Sequence, residues 1–232
     1  MNKRYSTILF DADNTLLDFD KSERMSLIKT MEHYSVPVTE ENIQAYVKIN
    51  VALWKQIEKK EITKPELKKI RFRSFFESIG HKTEADTLEV NEYYLGNLSS
   101  CGYTLDGAVE LCQKLKNAGY KLYIVTNGIA KAQARRLSKS GLTDYIDKVF
   151  VSESIGYPKP MKEFFDYVLE NIEEQDKSKV VVVGDSLSSD IKGAENAQLD
   201  CVWLNSGNAA LPDGYKADYV ISSLKELEDL FL

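Results

Sequence analysis

The sequence predicts an α/β fold in which a doubly wound parallel sheet carries a four-helix insertion after its first strand. Three observations predict it. Apolar runs of strand length recur along the chain, and Val180-Val181-Val182-Val183 has no polar alternation, as expected of a strand covered by helices on both faces. From residue 99 onward these runs alternate with helix-like stretches, which implies right-handed βαβ units and a Rossmann-like sheet. Residues 18–98 break the alternation, with no convincing strand and four helical stretches.

A first strand at residues 5–10 leads into Asp11. The insertion follows, with helices near 22–34, 39–60, 64–79 and 84–98. Val36-Pro37-Val38-Thr39 separates the first two helices, and Thr39 is a natural N-cap. Thr63-Lys64-Pro65-Glu66 reads as a capping box with proline in the first turn. Phe72, Phe75 and Phe76 at helical spacing give the insertion its own core. Tyr46, Asn50 and Trp54 recur every fourth residue and share a helix face, so Asn50 and Trp54 are candidates to meet a substrate; packing is the competing role for Trp54. The basic run Lys64, Lys68, Lys69, Arg71 and Arg73 reads as a solvated face balanced by Glu58 and Glu61. Beyond the insertion, Ala108, Leu111, Cys112 and Leu115 line one face of a helix over 107–118, which Gly119 ends. Strands at 121–126, 148–151, 180–184, 201–204 and 219–221 then alternate with helices at 130–140 and 162–171. Residues 1–17 and 99–232 therefore form the α/β core domain, and 18–98 a helical cap domain.

The bulk properties exclude several classes. The 232 residues suit one large domain or two small ones, with 43% hydrophobic and 28% charged residues. A net charge of −6 and a pI near 5.2 argue against a nucleic-acid polymer as partner. No apolar run is long enough to span a membrane, and no signal-peptide pattern opens the chain. Cys101, Cys112 and Cys201 form no metal-binding or disulfide pattern, so a cytoplasmic protein with buried thiols is expected, as a monomer or weak dimer.

In open α/β sheets, chemistry sits beyond the carboxyl ends of the strands. Asp11-Ala12-Asp13-Asn14-Thr15, Thr126-Asn127-Gly128, Lys159-Pro160 and Gly184-Asp185-Ser186-Leu187-Ser188-Ser189-Asp190 all fall at or near such ends. Alone, each has a plain structural explanation: capping aspartates, a tight glycine turn, a solvated loop lysine, a strand exit. Together and in order, they make a site.

These four segments resemble the motifs of the haloacid dehalogenase (HAD) superfamily of aspartyl-phosphate enzymes, with the insertion where that family carries its cap. More narrowly, Asp11 to Asp18, Trp54, Ser152 to Pro160 and Leu199 to Asn205 resemble the YjjG/YfnB-type branch, which contains pyrimidine 5′-nucleotidases. The resemblance implies a Mg²⁺-dependent phosphatase. Asp11 would be the nucleophile and Asp13 the general acid and base. Thr126, Asn127 and Lys159 would bind the phosphoryl group. Asp11, Asp185 and the Asp13 backbone carbonyl would hold the metal, with Asp190 orienting its surroundings. Asp13 also separates activities, because a halide leaving group needs no acid and the dehalogenases lack this second aspartate. The implied substrate is a small phosphorylated metabolite: a nucleoside 5′-monophosphate, chiefly pyrimidine or deoxy, and including non-standard nucleotides.

Other readings stay open on sequence alone. A sugar phosphate or FMN could be the substrate, and a phosphotransferase or phosphomutase would use the same core motifs. A phosphate-sensing module with a phosphorylatable aspartate also combines Asp, Thr and Lys in an α/β fold, but places its aspartate on a middle strand and lacks a large helical insertion.

Overall fold

The computed structural model of the chain describes residues 4–232. Among the described residues, the insertion comprises α1 (Phe19–His33), α2 (Glu40–Glu58), α3 (Lys64–Ser78) and α4 (Thr87–Leu98), directly after β1 (Thr7–Phe10). Then follow α5 (Ala108–Asn117), β2 (Lys121–Thr126), α6 (Ala130–Ser140), β3 (Lys148–Val151), the short α7 (Ser152–Ile155) and α8 (Lys162–Glu170). The chain closes with β4 (Val180–Gly184), α9 (Lys192–Ala197), β5 (Asp200–Leu204), β6 (Tyr219–Ile221) and α10 (Leu224–Phe231).

All strands are parallel, in the order β3-β2-β1-β4-β5-β6. Strand order reverses between β1 and β4, which opens a crevice beyond their carboxyl ends. Phe10 lies beside Ile124 on one flank and Val183 on the other, so Asp11, Thr126 and Asp185 leave the sheet at nearly one level. The uninterrupted valines of β4 face two cores. Val181 and Val183 pack toward α5 and α10, whereas Val180 and Val182 pack toward α8 and α9.

Each helix of the insertion starts on the residue that its chemistry favours. Asp18 accepts from Lys21 N at 2.9 Å, Thr39 from Asn42 N at 3.1 Å and Asp86 from Leu88 N at 2.9 Å. Thr63 and Glu66 cap one another reciprocally. Caps of this kind contribute about 1 kcal/mol each. Leu27, Met31, Tyr46, Phe72, Phe75 and Tyr94 lie in the core that the helices share. Entry and exit segments of the insertion are tied together, by Asp18 N to Tyr103 O at 3.0 Å and Leu105 N to Leu16 O at 3.0 Å.

The basic run departs from its expected solvated face. Arg71 is 2% exposed, and Lys64 donates to Gly128 O on the sheet side at 2.8 Å. Glu58 accepts from Ser188 Oγ at 2.9 Å. This part of the insertion faces the sheet edge, which withdraws Lys64 and Glu58 from solvent, while Lys68 stays paired with Glu92 at the surface. Of the cysteines, Cys112 and Cys201 are buried and Cys101 is half-buried. No helix among the described residues is long and apolar enough to cross a membrane.

A buried polar chain runs through the insertion, one residue per helix. Asn50 Nδ2 donates to Glu23 Oε1 at 2.6 Å, Arg71 Nη1 to Asn50 Oδ1 at 3.3 Å and Arg71 Nε to Asn91 Oδ1 at 3.1 Å. Burial pushes the Glu23 carboxyl up to about 7, against the pull of Asn50 and Arg71. A raised folded value means that this contribution to stability is full below about pH 4.5 and is lost as pH rises through about 7. Glu23→Gln removes the titration. Its stability relative to wild type is therefore expected to rise by about 3 kcal/mol between those limits. Urea unfolding of both proteins across that range checks this, and parallel pH profiles would refute it.

Candidate active site

The turn after β1 is built by its own sequence. Leu16 N and Leu17 N both donate to Ala12 O, at 3.0 and 2.8 Å. Asn14 takes the left-handed conformation at φ 58°, which asparagine tolerates better than most residues. Its Oδ1 accepts from Phe19 N at 3.0 Å and Asp20 N at 3.2 Å, which joins the turn to α1. Asp11 is consequently buried, and Asp13 is held half-buried at the crevice wall.

Two residues of α6 hold Asp13. Gln133 Nε2 donates to its Oδ2 at 2.6 Å, and Arg136 Nη1 pairs with its Oδ1. Gln133 Nε2 also reaches Thr126 Oγ1 at 2.9 Å, so one amide joins the first two motifs. The sequence reading overlooked both residues. Their signal was present, because Ala132, Gln133, Arg136, Leu137 and Ser140 form the buried face of α6, where long polar side chains need a reason. Gly128 makes room for this contact: a Cβ there would lie 2.5 Å from Gln133 Nε2.

The Asn127 side chain holds the Lys159 backbone, accepting from its N–H at 2.8 Å and donating to its carbonyl at 2.9 Å. Its side chain therefore serves the loop, leaving the Asn127 backbone N–H and the Thr126 hydroxyl as the groups able to face a phosphoryl oxygen. The Lys159-Pro160 peptide is cis. Lys159 Nζ reaches Asp11 Oδ1 at 2.6 Å, Asp190 Oδ1 at 2.6 Å and Val125 O at 2.8 Å. The ammonium thus spends all three protons inside the site.

After β4 the chain makes one π-helical turn, Leu187–Ile191, before α9. Ser186 N donates to Asp190 Oδ2 at 3.1 Å, which returns the Asp190 carboxylate to the sheet edge. Gly184 is required for this, since a Cβ would stand 2.3 Å from Asp190 Cγ. Trp203 Nε1 donates to Asp185 O at 2.9 Å and fixes the backbone there.

Asp11, Asp185 and Asp190 bring carboxylate oxygens within 4.8 Å of one another. Burial, reinforced by Asp11 and Asp190, pushes the Asp185 carboxyl up to about 8. Burial likewise pushes Asp11 up to about 7, against the pull of Lys159. For Lys159, burial alone would lower its value, but Asp11 and Asp190 outweigh burial and raise it. One lysine among three converging carboxylates leaves negative charge uncompensated. An all-oxygen donor set of this kind suits a hard divalent cation.

Trp54, Glu58, Phe19 and Asn14 complete the crevice wall above Asp11, Asp13, Thr126 and Asp185. Asn50 does not line it; it lies in the buried chain between Glu23 and Arg71. The structure thus gathers Asp11, Asp13, Thr126, Asn127, Lys159, Asp185, Asp190 and Trp54 around one opening.

The family model for haloacid dehalogenase-like hydrolases matches residues 5–198. The chain is 36% identical to the pyrimidine 5′-nucleotidase PynA of Streptococcus pneumoniae, over 97% of this chain and 94% of that protein. It is 37% identical to the pyrimidine 5′-nucleotidase YjjG of Escherichia coli, over 98% of each. A crystal structure of YfnB from Bacillus subtilis, bound to magnesium, superposes with a TM-score of 0.91 at 37% identity, covering 98% of this chain and 99% of that one.

Proposed function

The chain belongs to the haloacid dehalogenase-like hydrolases, and on that premise we propose that it is a Mg²⁺-dependent phosphatase of nucleoside 5′-monophosphates, chiefly pyrimidine ones. The observation that carries this reading is that Asp11 and Asp13 open on one crevice, with Lys159 on the first and α6 holding the second. A nucleophile and a separate acid and base are what an alkoxide leaving group requires. PynA and YjjG support the nucleotide, and Trp54 in the wall offers a flat surface to a base.

In the proposed reaction, an Asp11 carboxylate oxygen attacks phosphorus while the bond to the 5′ oxygen breaks. Asp13 gives its proton to that oxygen, and the nucleoside departs. Asp13, now a carboxylate, takes a proton from a water that attacks the same phosphorus. The Asp11–phosphorus bond breaks, inorganic phosphate leaves and both aspartates return to their starting forms. The Thr126 hydroxyl and the Asn127 backbone N–H hold the phosphoryl oxygens, and Lys159 offsets their charge and orients Asp11. Asp11 and Asp185, with the Asp13 carbonyl, would hold Mg²⁺, and Asp190 would support them by anchoring Lys159. When bound, the ion relieves the repulsion between the Asp11 carboxylate and a phosphate dianion. Residues 18–98 act as the cap over residues 1–17 and 99–232; they exclude water from the phosphorylated Asp11 and obstruct a macromolecular substrate.

A panel of phosphate monoesters tests the reading. With Mg²⁺, inorganic phosphate release is expected to be fastest from dUMP, dTMP and CMP, ahead of FMN and sugar phosphates. Transfer to an added alcohol in place of release would make the enzyme a phosphotransferase.

A further inference from the structure

Two buried arginines meet at the junction of insertion and sheet. Arg71 from α3 and Arg136 from α6 are each 2% exposed, and both line a narrow extension of the crevice. That extension continues from the catalytic opening, with which it shares Asp13, Phe19, Trp54 and Gly128. Leu95, Leu98 and Ile129 close its far side. Arg71 Nη2 and Arg136 Nε and Nη2 have no hydrogen-bond partner there. A buried donor left unmatched is costly, so such N–H groups call for an acceptor.

We propose that Arg71 and Arg136 recognise the carbonyl oxygens of a pyrimidine base lying in this extension. The assignment rests on the nucleotide phosphatase reading and adds the residues that select the base. The extension begins at Asp13, the group facing the 5′ oxygen, so the nucleoside follows it away from the phosphoryl site. Its walls are aromatic and aliphatic, which suits a flat neutral ring better than a second anionic group. Uracil and thymine each present two carbonyl oxygens and cytosine presents one, whereas adenine has none. Arg136 is already paired with Asp13, and Arg71 is already bonded to Asn50 and Asn91. Their remaining N–H groups are therefore fixed in direction before a ligand arrives, which favours selection by geometry.

The test compares kcat/KM for dUMP, dAMP, a phosphorylated hydroxy acid and deoxyribose 5-phosphate, which has no base. Wild type is expected to prefer dUMP over each of the others. Arg71→Met and Arg71→Lys are both expected to lower the dUMP-to-deoxyribose-phosphate ratio, the former by roughly 10- to 100-fold, the scale of one charged hydrogen bond. A ratio is unaffected by a smaller folded fraction, and circular dichroism measures that fraction separately. Unchanged ratios in both variants, or a wild-type preference for the phosphorylated acid, would overturn the assignment. Release of phosphate from none of the esters by wild type would overturn the phosphatase reading and this assignment together.

Discussion

Asp11→Asn is expected to lower phosphate release by about 10⁴-fold or more, the scale on which loss of a covalent nucleophile is felt. Asparagine keeps the size and planarity of the side chain but removes the attacking oxygen's charge. Its fold should survive. Lys159 keeps Asp190 Oδ1 and Val125 O as acceptors, at 2.6 and 2.8 Å. The substitution also withdraws one of three carboxylates that repel one another, and burial already disfavours the ionised form of Asp11. Thermal unfolding of the variant should therefore match or exceed wild type while turnover disappears. Turnover at the wild-type rate would remove Asp11 from the nucleophilic role.

Removal of divalent cations is expected to have the second largest effect. A chelator should reduce turnover on the order of 10³-fold, because charge stabilisation by a bound metal amounts to several kcal/mol, and Mg²⁺ should restore it. Stability supplies a readout independent of activity. Asp185 sits among Asp11 and Asp190 with its carboxyl pushed up to about 8 by burial and by these neighbours. An ion that binds the folded chain alone relieves this and stabilises it by about 2.7 kcal/mol at a hundredfold excess over Kd. The unfolding temperature should rise with Mg²⁺ in wild type and respond much less in Asp185→Asn. Chelator-insensitive turnover would contradict the metal assignment.

The sheet and its catalytic ends were legible because each rests on local pattern. The apolar runs at Lys121–Thr126, Lys148–Val151 and Val180–Gly184 end in the structure where they end in the sequence, at Thr, Ser and Asp. Capping chemistry at Thr39 and Thr63 set the starts of α2 and α3. Features that depend on tertiary meeting were not legible. The Glu23–Asn50–Arg71–Asn91 chain takes one residue from each of four helices, and no local period marks it. Trp54 and Asn50 share a helix face at i, i+4 spacing. Only Trp54 reaches the crevice, because α1 and α3 enclose Asn50 through Glu23 and Arg71. The strand order, with β4 beside β1, comes from pairing across more than 160 positions of chain, which composition cannot encode. Gln133 and Arg136 fall between these cases. Their place on an otherwise apolar helix face was readable, but their partner Asp13, far earlier in the sequence, was not.

The most direct measurement of Asp11 as nucleophile uses the Asp13→Asn variant with nitrophenyl phosphate and Mg²⁺. Nitrophenolate leaves with little help from an acid, so the first step should persist. Cleavage of the intermediate needs Asp13 to deprotonate water and should slow, by about 10²–10⁴-fold. The phosphorylated chain should therefore accumulate. Mass spectrometry of the quenched variant is expected to show one phosphoryl group, on the peptide that carries Asp11, together with a burst of nitrophenolate. Steady turnover with no burst and no phosphorylated peptide, or a phosphoryl group on any other residue, would contradict the account.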